Sequence, residues 1–593
     1  MIPTNTRTFA RRLGQISGSF WQKNAESLSS RMRFSSGFWK TPKGLLGGST
    51  FLLWVFYLVW IALTPQKVFW SLDEGGKYIF LRSILETGQL NTPLVYPAQS
   101  LDPNLEFVPL YYFIPRDGEM YSWWPIALPL VSLPFYQVFG WLGLFVLPAA
   151  AGALTAGLTG MLVRRLTRSE RWGIVALFLT GLATPVAFYA TRFWEHTLST
   201  AGVLGALLGM LDADEHGRIR SAALAGISGS LAVFFRPDAA FLLIGFGAVL
   251  LVRRPRPALF AALSAGATAL PWMALNLWTA GHPLGPTFGQ LVEAEALSGW
   301  QNAGLKLLAY AFFNPPRVDG FIFPRWALWT ASLSLLAGAV LAFFPRLRWL
   351  SLSAFGVVIG VCGWVAFQPT WYQAVHGAVL AAPQVLFGLY YLLRKPAWKQ
   401  SAFPAMLTAS LLVYGVVYLW RAWIGAGGLQ WGPRYLLSFY PLLVVAAGLE
   451  LHTLSLSANQ RLFKAVRWMF VVACLVGLSI SIRGLVTART LTSYYARSLP
   501  VLTSIRDHPV VMASKAFAMD VPDLYFQGNM LSTGGDETTH ERVLSRFREM
   551  GIQQYYSLSV LVDDNAPLEV IAERLKVHPE GVVLTRIDLS GDQ

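Results

Sequence analysis

Runs of about 20 apolar residues recur along most of the chain and alternate with short polar segments, and this is the length that a helix needs to cross a bilayer. The pattern predicts about thirteen transmembrane helices before residue 485. The predicted spans lie at 45–64, 142–163, 172–190, 197–211, 219–235, 237–252, 258–279, 327–344, 349–367, 374–393, 402–422, 435–450 and 468–484.

The distribution of basic residues gives the expected orientation of these spans. Clusters that begin at Arg164, Arg253 and Arg394 fall in loops that lie inside the cell if the N-terminus is cytoplasmic. The longer loops on the other face carry fewer Lys and Arg, which is the positive-inside pattern. We therefore expect a multi-pass plasma-membrane protein with an extracytoplasmic C-terminus. Its basic N-terminal tail, 1–44, is expected to be disordered and to contact membrane lipids.

From about residue 485 the composition becomes that of a soluble domain. Strand patterns at 510–513, 554–558 and 582–587 alternate with helical patterns at 539–550 and 568–576. This order predicts a small α/β domain over 485–593. The expected fold class is thus an α-helical polytopic membrane protein, with its membrane domain over 45–484, that carries an extracytoplasmic α/β domain.

The composition excludes an ordinary soluble protein. Of the 593 residues, 54% are hydrophobic and only 13% are charged. The net charge of +15 could indicate nucleic-acid binding, but acidic residues outnumber basic ones from Arg483 onward. The positive charge therefore belongs to membrane loops and the tail, and no nucleic-acid partner is expected. Cys362 and Cys474 both lie in apolar spans and are expected to pack as small hydrophobic residues.

Two adjacent carboxylates open the first long outer loop, 65–141. Asp73 and Glu74 stand just past the first span, and two glycines that permit close approach of a ligand follow them. Either carboxylate could act as a general base on an acceptor hydroxyl, or the pair could help to bind a divalent cation. The loop continues as a helical pattern and ends in an apolar run, 121–129, which predicts a helix in the membrane interface.

Arginines at the outer ends of spans are candidates for binding a lipid-linked phosphate, because guanidinium pairs bidentately with phosphate oxygens. The arginines in such positions are Arg192, Arg236, Arg317, Arg325 and Arg434. Asp238 could instead neutralise Arg236. Glu195 and His196 could bind a metal ion or a substrate, or could simply begin an interfacial helix. The sequence has no HExxH, Walker or Cys-x-x-Cys motif.

The stretch from Leu72 to Tyr78, followed by Glu86-Thr87-Gly88 and Pro93, resembles the first outer loop of the GT-C superfamily of membrane glycosyltransferases. The resemblance is to the protein O-mannosyltransferase and lipid A aminoarabinose transferase group, and it covers roughly 45–450. Trp431-Gly432-Pro433-Arg434-Tyr435-Leu436 is similar to a Gly-Pro-Arg-Tyr-Leu motif that opens a late span in this group. Trp123-Trp124-Pro125 stands where the aminoarabinose transferases carry Lys-Pro-Pro. The resemblance gives that lysine a contact with the donor phosphate, so Arg434 or another outer arginine must take its place here.

The resemblance implies an inverting transfer of a sugar from a polyprenyl-phosphate donor to an acceptor hydroxyl at the outer face. Asp73 would be the base, and Glu74 would orient it or join a divalent metal ion. The donor phosphate would be bound by Arg434, Arg236 and Arg192. The residues expected to line the substrate site are Tyr78, Trp123, Trp124, Glu195, His196, Trp431 and Tyr435. The acceptor could be a protein, a glycan or a lipid.

Two other functions stay open. A multi-pass transporter would carry inverted repeats and charges at mid-membrane, and neither is evident in the sequence. A catalytically degenerate transferase could serve as a lipid-binding or assembly protein, and the intact acidic pair argues against that role.

Overall fold

Apolar helices make up most of the structure, a computed structural model. It describes residues 42–286, 317–318, 321–322, 324–368, 375, 377–394, 401–420, 430–503, 505, 508–527, 529–561, 574 and 576–589. The chain divides into two compact units, 1–49 and 50–593, and every contact given below lies within the second. Most of the predicted disordered tail lies outside the described residues.

Each predicted span contains a helix. The helices of the first loop and the membrane region are α1 Pro42–Ala62, α2 Leu72–Thr87, α3 Ala127–Phe139, α4 Gly143–Thr167, α5 Glu170–Leu182, α6 Val186–Tyr189, α7 His196–His216, α8 Ile219–Phe235, α9 Ala239–Arg253, α10 Pro255–Ala280, α11 Arg325–Ala342, α12 Arg348–Ala366, α13 Ala378–Ala381, α14 Val385–Arg394, α15 Ala402–Trp420, α16 Phe439–Ser455 and α17 Gln460–Thr503. Short 3₁₀ turns lie at Gly140–Leu142, Pro345–Leu347 and Arg434–Leu436. Two antiparallel hairpins are formed by β1 Ile114–Arg116 with β2 Glu119–Tyr121, and by β3 Arg317–Val318 with β4 Phe321–Ile322.

Among the described residues, six helical segments are long and apolar enough to cross a bilayer. They are Gly44–Ala62, Ala127–Thr167, Pro255–Ala280, Arg325–Ala342, Pro345–Ala366 and Gln460–Val501. Shorter apolar helices, such as α8, α9 and α16, lie between them. The chain is therefore an α-helical polytopic membrane protein, as the sequence predicts, while the count of thirteen spans and the orientation stay predictions.

Prolines explain two departures from the predicted helices. The span predicted over 172–190 is interrupted after Leu182, because Pro185 cannot donate a helical hydrogen bond, and it resumes as α6. The prediction of an interfacial helix over 121–129 is wrong for the first half of that range. Tyr121 instead ends β2, and α3 begins only at Ala127, after a segment in which Pro125 disfavours helix.

The predicted domain boundary at residue 485 falls inside the continuous helix α17. This helix keeps a buried face past the boundary, since Ala488, Leu491 and Tyr495 are at most 2% exposed and recur at helical spacing. Tertiary packing on that face therefore extends the helix to Thr503, although the composition has already changed.

The C-terminal domain is built on a four-stranded sheet with the strand order β6-β5-β7-β8. Its elements are β5 Pro509–Met512, α18 Phe517–Asp520, α19 Pro522–Gln527, β6 Asn529–Ser532, α20 Glu537–Glu549, β7 Gln554–Val560 and β8 Val582–Asp588. Strands β6, β5 and β7 are parallel, and β8 is antiparallel to β7. The three predicted strands and the first predicted helix are confirmed, and the predicted helix 568–576 lies largely outside the described residues.

The C-terminal domain packs directly against α2, the helix that carries the two acids. A Cβ atom added to Gly75 would lie 1.7 Å from the carbonyl oxygen of Met519. The Phe69 N–H, just before α2, donates to the Asp520 carbonyl at 2.8 Å. Because the first loop and this domain touch, both lie on the same side of the bilayer. One continuous apolar core runs from the first loop through the membrane helices into the C-terminal sheet.

We predict that Gly75→Ala loosens the C-terminal domain, because the new methyl group must displace the Met519 backbone. Overpacking of this kind costs about 1–3 kcal/mol. The expected result is a lower thermal unfolding midpoint and faster proteolysis between α17 and β5. Gly247→Ala in α9 is the matched control, since no atom lies within 4 Å of its added Cβ. Equal behaviour of the two variants would contradict the close contact.

Candidate active site

The two acids lie in the first turn of α2, not ahead of it. The helix follows Ser71, whose backbone is extended (φ −142°, ψ 150°), and it ends at Gly88 in the left-handed region (φ 69°). Carboxylates are favourable at this end because the helix N-terminus carries partial positive charge. Successive residues on a helix point about 100° apart. The two carboxylates therefore meet different surroundings.

Asp73 is held by one tryptophan and one arginine. Trp124 Nε1 donates to its Oδ1 at 3.0 Å, and Arg434 Nη1 donates to Oδ2 in a short ion pair. The Asp73 side chain remains 26% exposed, so one side of it is open. Burial acts to raise the pKa of this carboxyl, but the charges of Arg434 and Lys77 outweigh it and lower the pKa to about 2. Asp73 is therefore ionised in the resting site.

Glu74 has a different environment and is fully buried. Its two oxygens accept the backbone N–H of Trp70 at 3.2 Å and of Phe193 at 2.8 Å. Burial raises the pKa of Glu74, while the nearby Arg192 charge and the two N–H donors act in the opposite direction. The bond from Trp70 ties α2 to the residues just before it, and the bond from Phe193 ties it to the segment between α6 and α7. They indicate a structural role, and a catalytic role for Glu74 stays a prediction.

Arg434 is positioned by the turn that precedes α16. The Gly432 carbonyl accepts the Tyr189 hydroxyl at 3.1 Å, and the Gly432 N–H donates to the Val375 carbonyl. Gly432 has φ 72°, a conformation that favours glycine, and a Cβ there would lie 2.5 Å from Pro185. The Arg434 backbone N–H also donates to Gln430 Oε1 at 3.2 Å. The sequence Trp-Gly-Pro-Arg thus fixes the backbone position from which the Arg434 side chain extends.

A buried network of charges lies next to this pair. Lys77 Nζ is 2.6 Å from Glu195 Oε2, and Arg236 Nη1 is 3.5 Å from Glu195 Oε1. Arg236 also pairs with Asp238 at 2.9 Å. Its Nη1 lies 2.6 Å from His196 Nε2. Because guanidinium only donates, this His196 nitrogen must accept, and the imidazole is neutral.

Aromatic rings bring the cations of the site together. The Tyr435 ring has the Arg236 guanidinium 4.8 Å from its centroid and the Arg434 guanidinium at 5.3 Å. The Trp194 ring has Arg434 at 5.2 Å and Lys77 Nζ at 5.6 Å. Cation–π contacts of this kind are strongest where water is excluded. The three cations are paired with the carboxylates of Asp73, Glu195 and Asp238.

The structure brings together seven of the predicted site residues. They are Asp73, Trp124, Glu195, His196, Arg236, Arg434 and Tyr435. Arg192 lies apart from this network, buried beside Glu74 with its guanidinium 5.5 Å from the Phe188 ring. The Trp123 ring stacks on Tyr112 at the rim of the site.

Two predicted substrate contacts have other partners. The Tyr78 hydroxyl is bonded to Tyr136, Asp523 and Arg82, and its side chain thus joins α2 to α19 of the C-terminal domain. The Trp431 indole is 1% exposed and donates to the Ile480 carbonyl of α17 at 3.2 Å. Trp431 supports the turn that carries Arg434 and does not line an open surface.

Lys77 is not among the predicted site residues, yet it is 3% exposed and belongs to the charge network through its pairing with Glu195. Its position offered a signal, because Lys77 stands four residues after Asp73 and so shares a helix face with it. A lysine in an otherwise apolar helical face needs a buried anion. Glu195, 118 positions away in the sequence, supplies it.

The residues present do not fit a resident metal ion. Asp73 is engaged by Arg434 and Trp124, and both Glu74 oxygens accept backbone N–H groups. Within the part of the chain that the structure describes, no group of three or more His, Cys, Asp and Glu side chains is placed to hold a metal ion.

No protein family model and no curated protein matches the chain. Among solved structures, it is similar to the archaeal oligosaccharyltransferase AglB from Archaeoglobus fulgidus in complex with an inhibitory peptide and a dolichol-phosphate. That match has 14% identity and a TM-score of 0.45, and it covers 92% of this chain and 74% of that chain. The chain is also similar to ArnT from Cupriavidus metallidurans in the apo state, with 13% identity, a TM-score of 0.45, and coverage of 91% and 97%. A second ArnT structure, bound to undecaprenyl phosphate, matches with 12% identity, a TM-score of 0.44, and coverage of 94% and 99%. At these TM-scores the likeness is distant, and the function proposed below rests on the residues of this chain.

We predict that Glu195→Ala destabilises the fold more than Lys77→Met does. Loss of Glu195 leaves the buried Lys77 without its carboxylate, and breaking a buried ion pair in this way costs roughly 3–5 kcal/mol. Loss of Lys77 leaves Glu195 still paired with Arg236. Chemical unfolding of the detergent-solubilised protein measures both values, with the exposed Glu86→Ala as a control of small effect. The reverse order of stabilities would contradict the network.

Proposed function

We propose that this chain is a glycosyltransferase that moves a sugar from a polyprenyl-phosphate donor to an acceptor hydroxyl, on the side of the membrane that holds the first loop and the C-terminal domain. The observation that supports this function best is the direct contact of Arg434 with Asp73 in a half-buried site. A general base and a phosphate-binding cation are the two groups that this reaction needs most.

The reaction begins at the exposed side of Asp73. An acceptor hydroxyl donates a hydrogen bond to the carboxylate, and its oxygen attacks the anomeric carbon of the donor sugar. The proton passes to Asp73 as the new carbon–oxygen bond forms. The bond from the anomeric carbon to the phosphate oxygen breaks, and its electron pair stays on the phosphate. Attack and departure occur on opposite faces, so the configuration inverts.

Arg434 links the two halves of this reaction. In the resting site its guanidinium neutralises Asp73. When Asp73 takes up a proton it loses its charge, and at the same moment the leaving phosphate gains charge. The guanidinium can then pair with the phosphate, which it binds in a planar, bidentate geometry. The positive charge of the site is thus in place before the reaction and needs little reorganisation.

Arg236 and Lys77 extend the positive charge around Arg434. Arg236 shares the Tyr435 ring with Arg434, and Lys77 shares the Trp194 ring with it. Glu195 holds both of these cations in place through its two oxygens. Arg236 is the nearer candidate for a second phosphate contact, and Lys77 acts through its charge on Asp73.

Asp73→Asn is expected to reduce sugar transfer by about 100- to 10,000-fold, because the amide cannot accept the acceptor proton. The measurement is radiolabelled sugar transferred from polyprenyl-phosphate donors in membranes that carry each variant. Glu86→Gln is the matched control on the same helix, since its side chain is exposed and pairs with Arg82. The mechanism fails if Asp73→Asn transfers sugar at the rate of the unaltered chain.

Arg434→Ala is expected to raise the activation barrier of sugar transfer by about 2–4 kcal/mol. It is also expected to change the pH dependence of the transfer rate. Arg434 holds the pKa of Asp73 at about 2, so Asp73 stays deprotonated throughout the mildly acidic range. Without Arg434 the largest effect that lowers this pKa is lost, while Lys77 and Trp124 remain, and the pKa rises. Activity is then lost as the pH falls through the raised pKa, and kcat/KM gains an acidic limb. An unshifted pH profile in Arg434→Ala, with Arg434→Lys as comparison, would contradict the pairing.

A further inference from the structure

Three aromatic rings stand at the rim of the site. Tyr111 is 56% exposed and Tyr112 is 42% exposed, although Val108 and Leu110 just before them are buried at 2%. The Tyr112 ring stacks on Trp123, with centroids 5.7 Å apart and planes inclined by 28°. Tyr111 contacts Tyr112 at 5.3 Å. We call this set of Tyr111, Tyr112 and Trp123 the aromatic rim.

The aromatic rim continues into the site through Trp124. The Tyr112 and Trp124 rings pack nearly perpendicular with their centroids 6.4 Å apart, and the indole N–H of Trp124 donates to Asp73. Burial raises the pKa of Tyr112, and the Asp73 charge adds to the rise, so the phenol lies within the electrostatic reach of the ion pair. A molecule lying on the rim therefore has one end beside the Asp73 carboxylate.

The backbone under the rim is fixed. The Tyr111 N–H lies 3.4 Å from the Met519 sulfur of the C-terminal domain. Ser122 ties the turn ahead of Trp124, since its hydroxyl bonds both the N–H and the carbonyl of Trp124, at 3.1 and 3.0 Å. Gly76 leaves room for the Trp124 ring, which a Cβ would approach to 2.1 Å. A rigid aromatic surface loses little side-chain entropy when a ligand binds.

We propose that the acceptor is a glycan, and that one of its sugar rings packs on the exposed Tyr112 ring of the aromatic rim while its hydroxyl reaches Asp73. This inference rests on the proposed transferase function and names the acceptor class of the same site. Sugar rings present faces of C–H groups that carry partial positive charge, and these pack on the electron-rich faces of aromatic rings. A carboxylate beside such a face accepts hydrogen bonds from sugar hydroxyls.

A peptide acceptor fits the rim less well. An extended peptide would add to an open strand edge through regular main-chain hydrogen bonds. The nearest strands, β1 and β2, are three residues each and would offer few such bonds. The surface that leads to Asp73 is made instead of the Tyr112 and Trp124 rings, and the Trp124 indole N–H contacts the carboxylate itself. The rim thus favours a ring-shaped acceptor.

The test is binding of soluble oligosaccharides to the full chain in nanodiscs, measured by saturation-transfer NMR on the ring C–H protons. The probes are hexasaccharides of glucose, galactose, mannose and N-acetylglucosamine, beside hexapeptides that contain Ser and Thr. We expect at least one hexasaccharide to bind, with affinity about tenfold weaker in Tyr112→Ala and kept in Tyr112→Phe. Trp329→Ala, which removes an exposed ring of α11, is the control and should not change binding.

Two results would overturn the inference: no hexasaccharide binds in a Tyr112-dependent manner, or the hexapeptides bind with loss in Tyr112→Ala. This binding needs no turnover, so its failure is separable from failure of the proposed function. If Asp73→Asn loses transfer but the unaltered chain binds no hexasaccharide, the transferase function stands and the glycan acceptor is ruled out. Tyr112-dependent glycan binding with full transfer by Asp73→Asn would support the acceptor class and remove Asp73 as the base.

Discussion

The ion pair between Asp73 and Arg434 is the interaction on which the rest of the site depends. The two residues are 361 positions apart in the sequence, and they meet only because α2 and the turn before α16 pack on the same buried segment. A carboxylate and a guanidinium in contact at a half-buried position hold each other charged. Their pairing also couples the two steps of the proposed reaction, because a proton gained by Asp73 frees Arg434 to stabilise the developing charge on the leaving phosphate.

Much of the surrounding structure keeps this pair in place. Glu74, next to Asp73 in sequence, takes no part in it and instead joins α2 to the segment before α7. Gly75 and Gly76 carry no side chains because the C-terminal domain and the Trp124 ring occupy that space. The C-terminal domain therefore helps to position α2. Of four consecutive residues, Asp73 forms the ion pair and Glu74 joins α2 to the neighbouring segment. Gly75 allows the domain contact, and Gly76 makes room for the Trp124 ring.

The sequence was sufficient for features that depend on local pattern. Apolar length predicted the helices, and strand patterns predicted β5, β7 and β8. The position of Asp73 past the first span and the Trp-Gly-Pro-Arg turn predicted both members of the ion pair. Features that depend on distant contacts were not predictable. The pairing of Lys77 with Glu195 spans 118 positions, and α17 passes residue 485 because residues on its buried face pack against other elements. Tyr78 and Trp431 look like site residues in sequence, yet packing directs one to Asp523 and the other to α17.

The most direct test of this account is a cryo-EM structure of the chain in nanodiscs with a bound polyprenyl phosphate. We expect the phosphate to lie within hydrogen-bonding distance of Arg434 and the Arg434–Asp73 contact to be weakened or opened. We also expect the lipid tail to run among the membrane helices and to leave the exposed side of Asp73 clear for an acceptor. A phosphate bound elsewhere, with the Asp73–Arg434 pair unchanged, would contradict it.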